Sequence, residues 1–169
     1  MPTTYEKADN TIYNLIQERI EKFYPDLEKV DLTLDVMVAE NDNGDHPVKV
    51  NGYPSPAAIK ITPLKARAKG LADVELILDW AAFKSMTRNQ QEALIDKELY
   101  YLEVQRDKEE NIKFDDLGRP KIRLKKHDYQ LGWFREIAVR HKGDSPEVYQ
   151  AKILWNNDGK TFFPAAQNS

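Results

Sequence analysis

The apolar residues change their spacing partway along the chain, and that change narrows the folds open to it. Ile12, Leu15, Ile16, Ile20 and Phe23 recur at i, i+3, i+4, i+8 and i+11, which is one face of a helix. Asp9 or Asn10 supplies the N-cap. Tyr24-Pro25-Asp26 ends the helix, because the residue before proline avoids helical angles. The period then drops to two. Leu32, Leu34, Val36 and Val38 point one way while Thr33, Asp35 and Met37 point the other, the pattern of a half-buried strand. A chain that must bury a helical stripe and a strand face together reads as α+β.

The rest of the sequence continues this mixture. Asn41-Asp42-Asn43-Gly44-Asp45 is a hairpin-type turn cluster, with Val48 and Val50 opening a return strand that Tyr53-Pro54-Ser55-Pro56 breaks. Residues 57–62 and 74–78 read as further strands, the second more buried. Residues 79–86 read as a short helix leading into a longer one. Thr87 and Gln90 have capping-box spacing there, and Leu94, Ile95, Leu99 and Leu102 form the apolar stripe. A turn at 115–120 leads to a strand in which Arg119, Lys121, Arg123 and Lys125 alternate with Ile122 and Leu124, one wholly basic face typical of a protected edge. His127-Asp128 is expected to open another helix with Asp128 as its cap, and Ser145-Pro146-Glu147 a last one. With no repeat and no linker, the expectation is one α+β domain over 1–155: an N-terminal helix, a short antiparallel sheet, a central helix and C-terminal helices. Residues 156–169 are expected to form a turn and a loose tail.

Composition removes several function classes. The 169 residues include no cysteine, which excludes a disulfide framework, Cys-ligated zinc, iron–sulfur clusters and thiol catalysis. The three histidines, His46, His127 and His141, leave little for a classical metal site. His46 is expected to be solvated in its turn, and His141 to sit favourably near a helix C-terminus. No G-x-S-x-G, P-loop or G-x-G-x-x-G is present, and Ser55, Ser85 and Ser145 have no adjacent base. The first residues lack an apolar core, so no secretory signal is expected, and no apolar run approaches the ~20 residues that span a bilayer. A cytoplasmic location follows as the expectation.

One stretch carries more. Asp79-Trp80-Ala81-Ala82-Phe83-Lys84, followed by residues 90–101 (Gln90, Gln91, Glu92, Ala93, Leu94, Ile95, Asp96, Lys97, Glu98, Leu99, Tyr100, Tyr101), resembles the zincin-like metallopeptidase family of phages and prophages, whose central helix reads like A-L-L-D-H-E-L-x-H. Gly118-Arg119-Pro120-Lys121, His127-Asp128, Phe134 and Arg140-His141 resemble its downstream segment. The chemistry implied by the resemblance needs H-E-x-x-H: two imidazoles one helical turn apart on zinc, a Glu to polarise the metal-bound water, and a third ligand from elsewhere. The matched positions here are Lys97-Glu98-Leu99-Tyr100-Tyr101, so only the Glu corresponds. A lysine offers a cation where zinc would bind, and tyrosine is a poor ligand at neutral pH.

The former site implied by the resemblance is therefore Lys97, Glu98, Tyr101 and His127, with Lys97 filling the place of the metal's charge and the 97/101 face turned toward His127. No cofactor is expected, zinc included. The expected function is that of a metal-free, catalytically inactive relative (a pseudoenzyme) of phage, prophage or other mobile-element origin. It would act by binding another macromolecule, a protein, as an inhibitor, scaffold or toxin component, with no membrane involved. Two alternatives stand beside it. One is a metal-dependent hydrolase with an atypical site. The other is a nucleic-acid-binding accessory protein using the segment 119–142, which holds eight basic and two acidic residues, with Arg119, Lys121, Arg123 and Lys125 as contacts. The bland reading of that segment is a solubilising edge strand and a solvated helix face. The preceding 92–110 holds seven acids and three bases, and the chain as a whole carries a formal charge of −3, so nucleic acid is the lesser expectation.

Overall fold

The computed structural model describes residues 2–156. The chain divides into two compact units, Met1–Lys126 and His127–Ser169. The expected tail at 156–169 lies outside the described residues except for Asn156.

The first unit begins with a short strand, β1 (Thr4–Lys7), and the amphipathic helix α1 (Asn10–Phe23). Asp9 is the cap, its carboxylate accepting from the Ile12 N–H at 3.2 Å. Ile12, Leu15, Ile16 and Ile20 are buried as the spacing requires. Phe23 departs from the expectation: it is exposed, at the end of the helix where the stripe has turned off the core, and Arg19 and Lys22 lie against its ring. Pro25 ends α1 and opens α2 (Pro25–Lys29) at a position where its missing N–H costs nothing.

Next come β2 (Leu34–Glu40), the strands β3 (Lys49–Val50) and β4 (Tyr53–Pro54), β5 (Ala57–Ile61), helix α3 (Leu64–Ala68) and β6 (Val74–Asp79). Tyr53-Pro54 does not simply break the return strand. It pairs antiparallel with Lys49-Val50 across Asn51 and Gly52, whose φ values of +52° and +82° are those of a two-residue hairpin turn. Four strands form a mixed sheet in the order β1-β2-β6-β5. Two pairings are antiparallel as expected, while β2 and β6 run parallel in register Leu34 to Val74 through Ala39 to Asp79. The chain reaches β6 only after laying down β5 on its far side, so β2 and β6 point the same way. Val36, Val74, Leu76 and Leu78 are fully buried.

The sheet hands directly to helices. Asp79 ends β6 and caps α4 (Trp80–Ser85), accepting from Ala82 N–H at 3.1 Å. The longer α5 (Arg88–Tyr100) opens with the expected reciprocal capping box between Thr87 and Gln90. Ile95 and Leu99 on α5 complete the core with the sheet and α1. Two short strands follow, β7 (Leu102–Val104) and β8 (Ile122–Leu124), paired antiparallel.

The second unit holds α6 (Arg135–His141), a turn of 3₁₀ helix (Lys142–Asp144) and α7 (Pro146–Asn156). His127-Asp128 does not open α6. Asp128 lies six residues before the N-cap residue, Phe134, with Gly132 between; no side chain caps the first turn of α6, and the Glu147 carboxylate accepts from the Phe134 N–H at 3.2 Å. Ser145 caps α7 as expected, accepting from Val148 N–H at 3.2 Å, with Pro146 at the first helical position. No described helix is long and apolar enough to cross a membrane.

Candidate site on the central helix

The last turn of α5 carries the residues the sequence singled out, and its geometry follows from how that helix is buried. Leu94, Ile95, Glu98 and Leu99 face inward, at i, i+1, i+4 and i+5. Glu98 thus shares the apolar face and is only 4% exposed, while Lys97, one position around the helix, is exposed. Tyr101 is the half-buried C-cap residue, its backbone N–H donating to the Glu98 carbonyl at 3.3 Å. Burial, and then the Glu98 carboxylate, push the Tyr101 phenol above its ordinary range, so it stays protonated at neutral pH.

Neighbouring contacts fix this turn firmly. Arg19 on α1 pairs with Asp96 at 3.2 Å, and the Tyr24 hydroxyl donates to the Asp96 carbonyl at 2.8 Å. Burial and the nearby Asp96 raise the Tyr24 phenol to about 12. Beyond the helix end, the Tyr101 carbonyl accepts from Lys125 N–H at 2.7 Å, and the Lys125 ammonium lies 3.7 Å from the centre of the Tyr100 ring. His127 belongs to the second unit, where its Nδ1 is 3.2 Å from Gln130 Oε1. Among the described residues, no group of three or more His, Cys, Asp or Glu side chains is placed to hold a metal ion.

The basic segment is not the uniform face that its alternation suggests. Only 122–124 form strand, and the four cations have different settings. Arg119 turns inward onto Asp73, its Nε and Nη2 donating to the two carboxylate oxygens at 3.1 and 2.6 Å. Arg123 pairs with Glu103 across the hairpin, and Lys125 is taken up by Tyr100. Lys121 is exposed.

Sequence reasoning missed the cluster around Asp73. This carboxylate is 2% exposed and also accepts from the N–H and hydroxyl of Thr33. Arg67 approaches it at 3.9 Å and binds Asp115 at 2.8 Å. Burial alone would raise the Asp73 carboxyl, but the Arg119 and Thr33 hydrogen bonds outweigh it and hold the group below the usual carboxylate range. His46 is solvated as expected, its side chain 60% exposed, but it also has a partner the sequence did not show: its Nδ1 is 3.3 Å from Asp79 Oδ2, a carboxylate buried at the end of β6. Neither partner has a local sequence signal, since each lies more than thirty residues away.

A family model described as "Putative phage metallopeptidase" matches residues 3–156. The chain belongs to that family. The match to the phage metallopeptidase family covers nearly all the described chain, α5 included. No curated protein and no solved structure matches the chain.

Proposed function

We propose that this member of the phage metallopeptidase family is a metal-free, catalytically inactive protein that acts in the host cytoplasm by binding another protein. The observation that carries the reading is the donor set on the last turn of α5. Zinc takes neutral imidazole, thiolate or carboxylate ligands, and a catalytic site needs three from the protein. An exposed ammonium at Lys97 and a phenol at Tyr101 held in its protonated form do not fit that ion. Glu98 keeps the place of a general base but lies against the apolar face of the helix. The inward turn of Arg119 and the pairing of Arg123 weigh against nucleic acid as the partner, because both cations already have carboxylates.

The test is elemental analysis of untagged protein, with thermal unfolding in the presence and absence of chelator. Far less than one zinc per chain, and an unchanged transition, are expected. About one zinc per chain, with a chelator-dependent fall in melting temperature, would overturn the proposal.

A further inference from the structure

Asn43-Gly44 and Asn51-Gly52 place the same dipeptide in two exposed turns of the first unit. An Asn-Gly pair carries its own reaction, because glycine has no side chain to shield its nitrogen. That nitrogen attacks the asparagine Cγ. A C–N bond forms, the side-chain nitrogen leaves as ammonia, and water then opens the cyclic imide to aspartate or isoaspartate. Both turns are exposed, so it is the backbone that separates them.

Attack requires the glycine nitrogen to swing onto the side-chain side of the asparagine Cα–C bond. Asn51 and Gly52, at φ +52° and +82°, are the central residues of a type I′ turn, which sets ψ at Asn51 to about +30°. There the Gly52 nitrogen lies across the Cα–C bond from the Asn51 side chain. Bringing it round means opening the pairing of Lys49 with Pro54 and Val50 with Tyr53. Asn43-Gly44 lies outside the strands, and the Gly44 N–H makes one long backbone hydrogen bond, 3.4 Å to the Asn41 carbonyl. The Asn43 amide is also polarised for attack. The Asp45 N–H donates to Asn43 Oδ1 at 3.1 Å, on the oxygen that takes up charge as the new bond forms.

We propose that Asn43 is a self-modification site, converted to aspartate or isoaspartate by Gly44 in the folded protein, while its hairpin protects Asn51. Water is the only co-reactant. Conversion replaces an amide that donates to Asp45 Oδ2 at 3.0 Å by a carboxylate that repels it, in the loop that seats His46 on Asp79. The modification therefore adds a charge to that loop slowly and irreversibly.

The test is to age the folded full chain in mildly alkaline buffer, digest it with trypsin and follow the amide-to-acid mass change. Cleavage after Lys29, Lys49 and Lys60 puts Asn43 and Asn51 on separate peptides, and fragment ions separate Asn43 from Asn41. Asn43 is expected to convert about tenfold faster than Asn51 or more, since reaction at Asn51 waits on local opening of the hairpin. In urea the two rates should converge, because the turn geometry is gone. Asn43→Gln, whose longer side chain disfavours ring closure, should abolish the mass change in its peptide. Equal rates in the folded protein, faster conversion at Asn51, or a folded Asn43 that stays intact while the unfolded one reacts would overturn the proposal. So would a difference that persists in urea, which would assign the selectivity to neighbouring residues, or a mass change that survives Asn43→Gln. None of these results depends on zinc or on a partner.

Discussion

Replacing Arg119 by alanine removes both hydrogen bonds from guanidinium to Asp73 and leaves that carboxylate, 2% exposed, with Thr33 and the more distant Arg67. Breaking a buried pair from one side costs about 3–5 kcal/mol. Arg119 itself is 34% exposed, so water can enter the space it vacates, and about 2–4 kcal/mol is the better expectation. That is a large share of the 5–15 kcal/mol, roughly, that holds a domain folded, and at about 2–4 °C per kcal/mol it lowers the melting temperature by roughly 5–15 °C. Urea unfolding at neutral pH measures it, with Lys121→Ala as the control, expected within about 0.5 kcal/mol of wild type. The pH dependence has a definite sign. A carboxyl lowered in the fold contributes stability above its unfolded pKa of about 3.9 and loses it as pH falls through the lower folded value. The penalty of Arg119→Ala should therefore narrow below about pH 4. A variant as stable as Lys121→Ala, or a penalty that grows toward acid, would refute the reasoning.

Other expectations follow from the same geometry. Thr87→Ala breaks the capping box of α5 and should cost about 1 kcal/mol in thermal unfolding. Leu99→Ala opens a cavity beneath the same helix, where the side chain is fully buried, and should cost about 2–5 kcal/mol by urea unfolding. Zinc affinity measured by competition with a chromophoric chelator should rise for Lys97→His with Tyr101→His together and for neither alone, because a single imidazole leaves too few ligands. Titration of a fluorescent DNA duplex and single strand at physiological salt should show no specific binding; sub-micromolar affinity that falls with salt would restore the nucleic-acid reading.

What could be read from the sequence was local. The Asp9 cap, the apolar stripe of α1 and the Thr87–Gln90 box each involve residues within one or two turns, and the alternation of β2 is set by the pleat itself. Phe23 fit the period of its helix yet lies at the end, past the neighbours that could cover it. The run Arg119, Lys121, Arg123, Lys125 looked like one basic face because alternation reports the side a residue points to, not its partner. Arg119 meets Asp73 from 46 positions away, and Arg123 meets Glu103 through the pairing of β7 and β8. Charge patterns are legible only as far as their partners are local. The onset of α6 was misplaced for the same reason: the N–H of its N-cap residue, Phe134, is taken up by Glu147, on the following helix.

The helix α5 separates the residues that hold the fold from the exposed residue at 97. Its contribution to packing comes from Ile95, Glu98 and Leu99, and its attachment to α1 comes from Asp96 with Arg19 and Tyr24. Lys97 is exposed, and Tyr101 lies beyond the last helical residue, its carbonyl held by the backbone of Lys125. Exchanges at exposed positions outside caps and networks stay within about 0.5 kcal/mol. The residue at 97 can therefore be selected for what it binds, while Leu99, Ile95 and the Asp73–Arg119 cross-link carry stability. By that reasoning Lys97→His alone should leave the unfolding midpoint unchanged, whereas Leu99→Ala, two residues along, should shift it strongly; equal shifts would mean that position 97 bears more of the fold than its exposure implies.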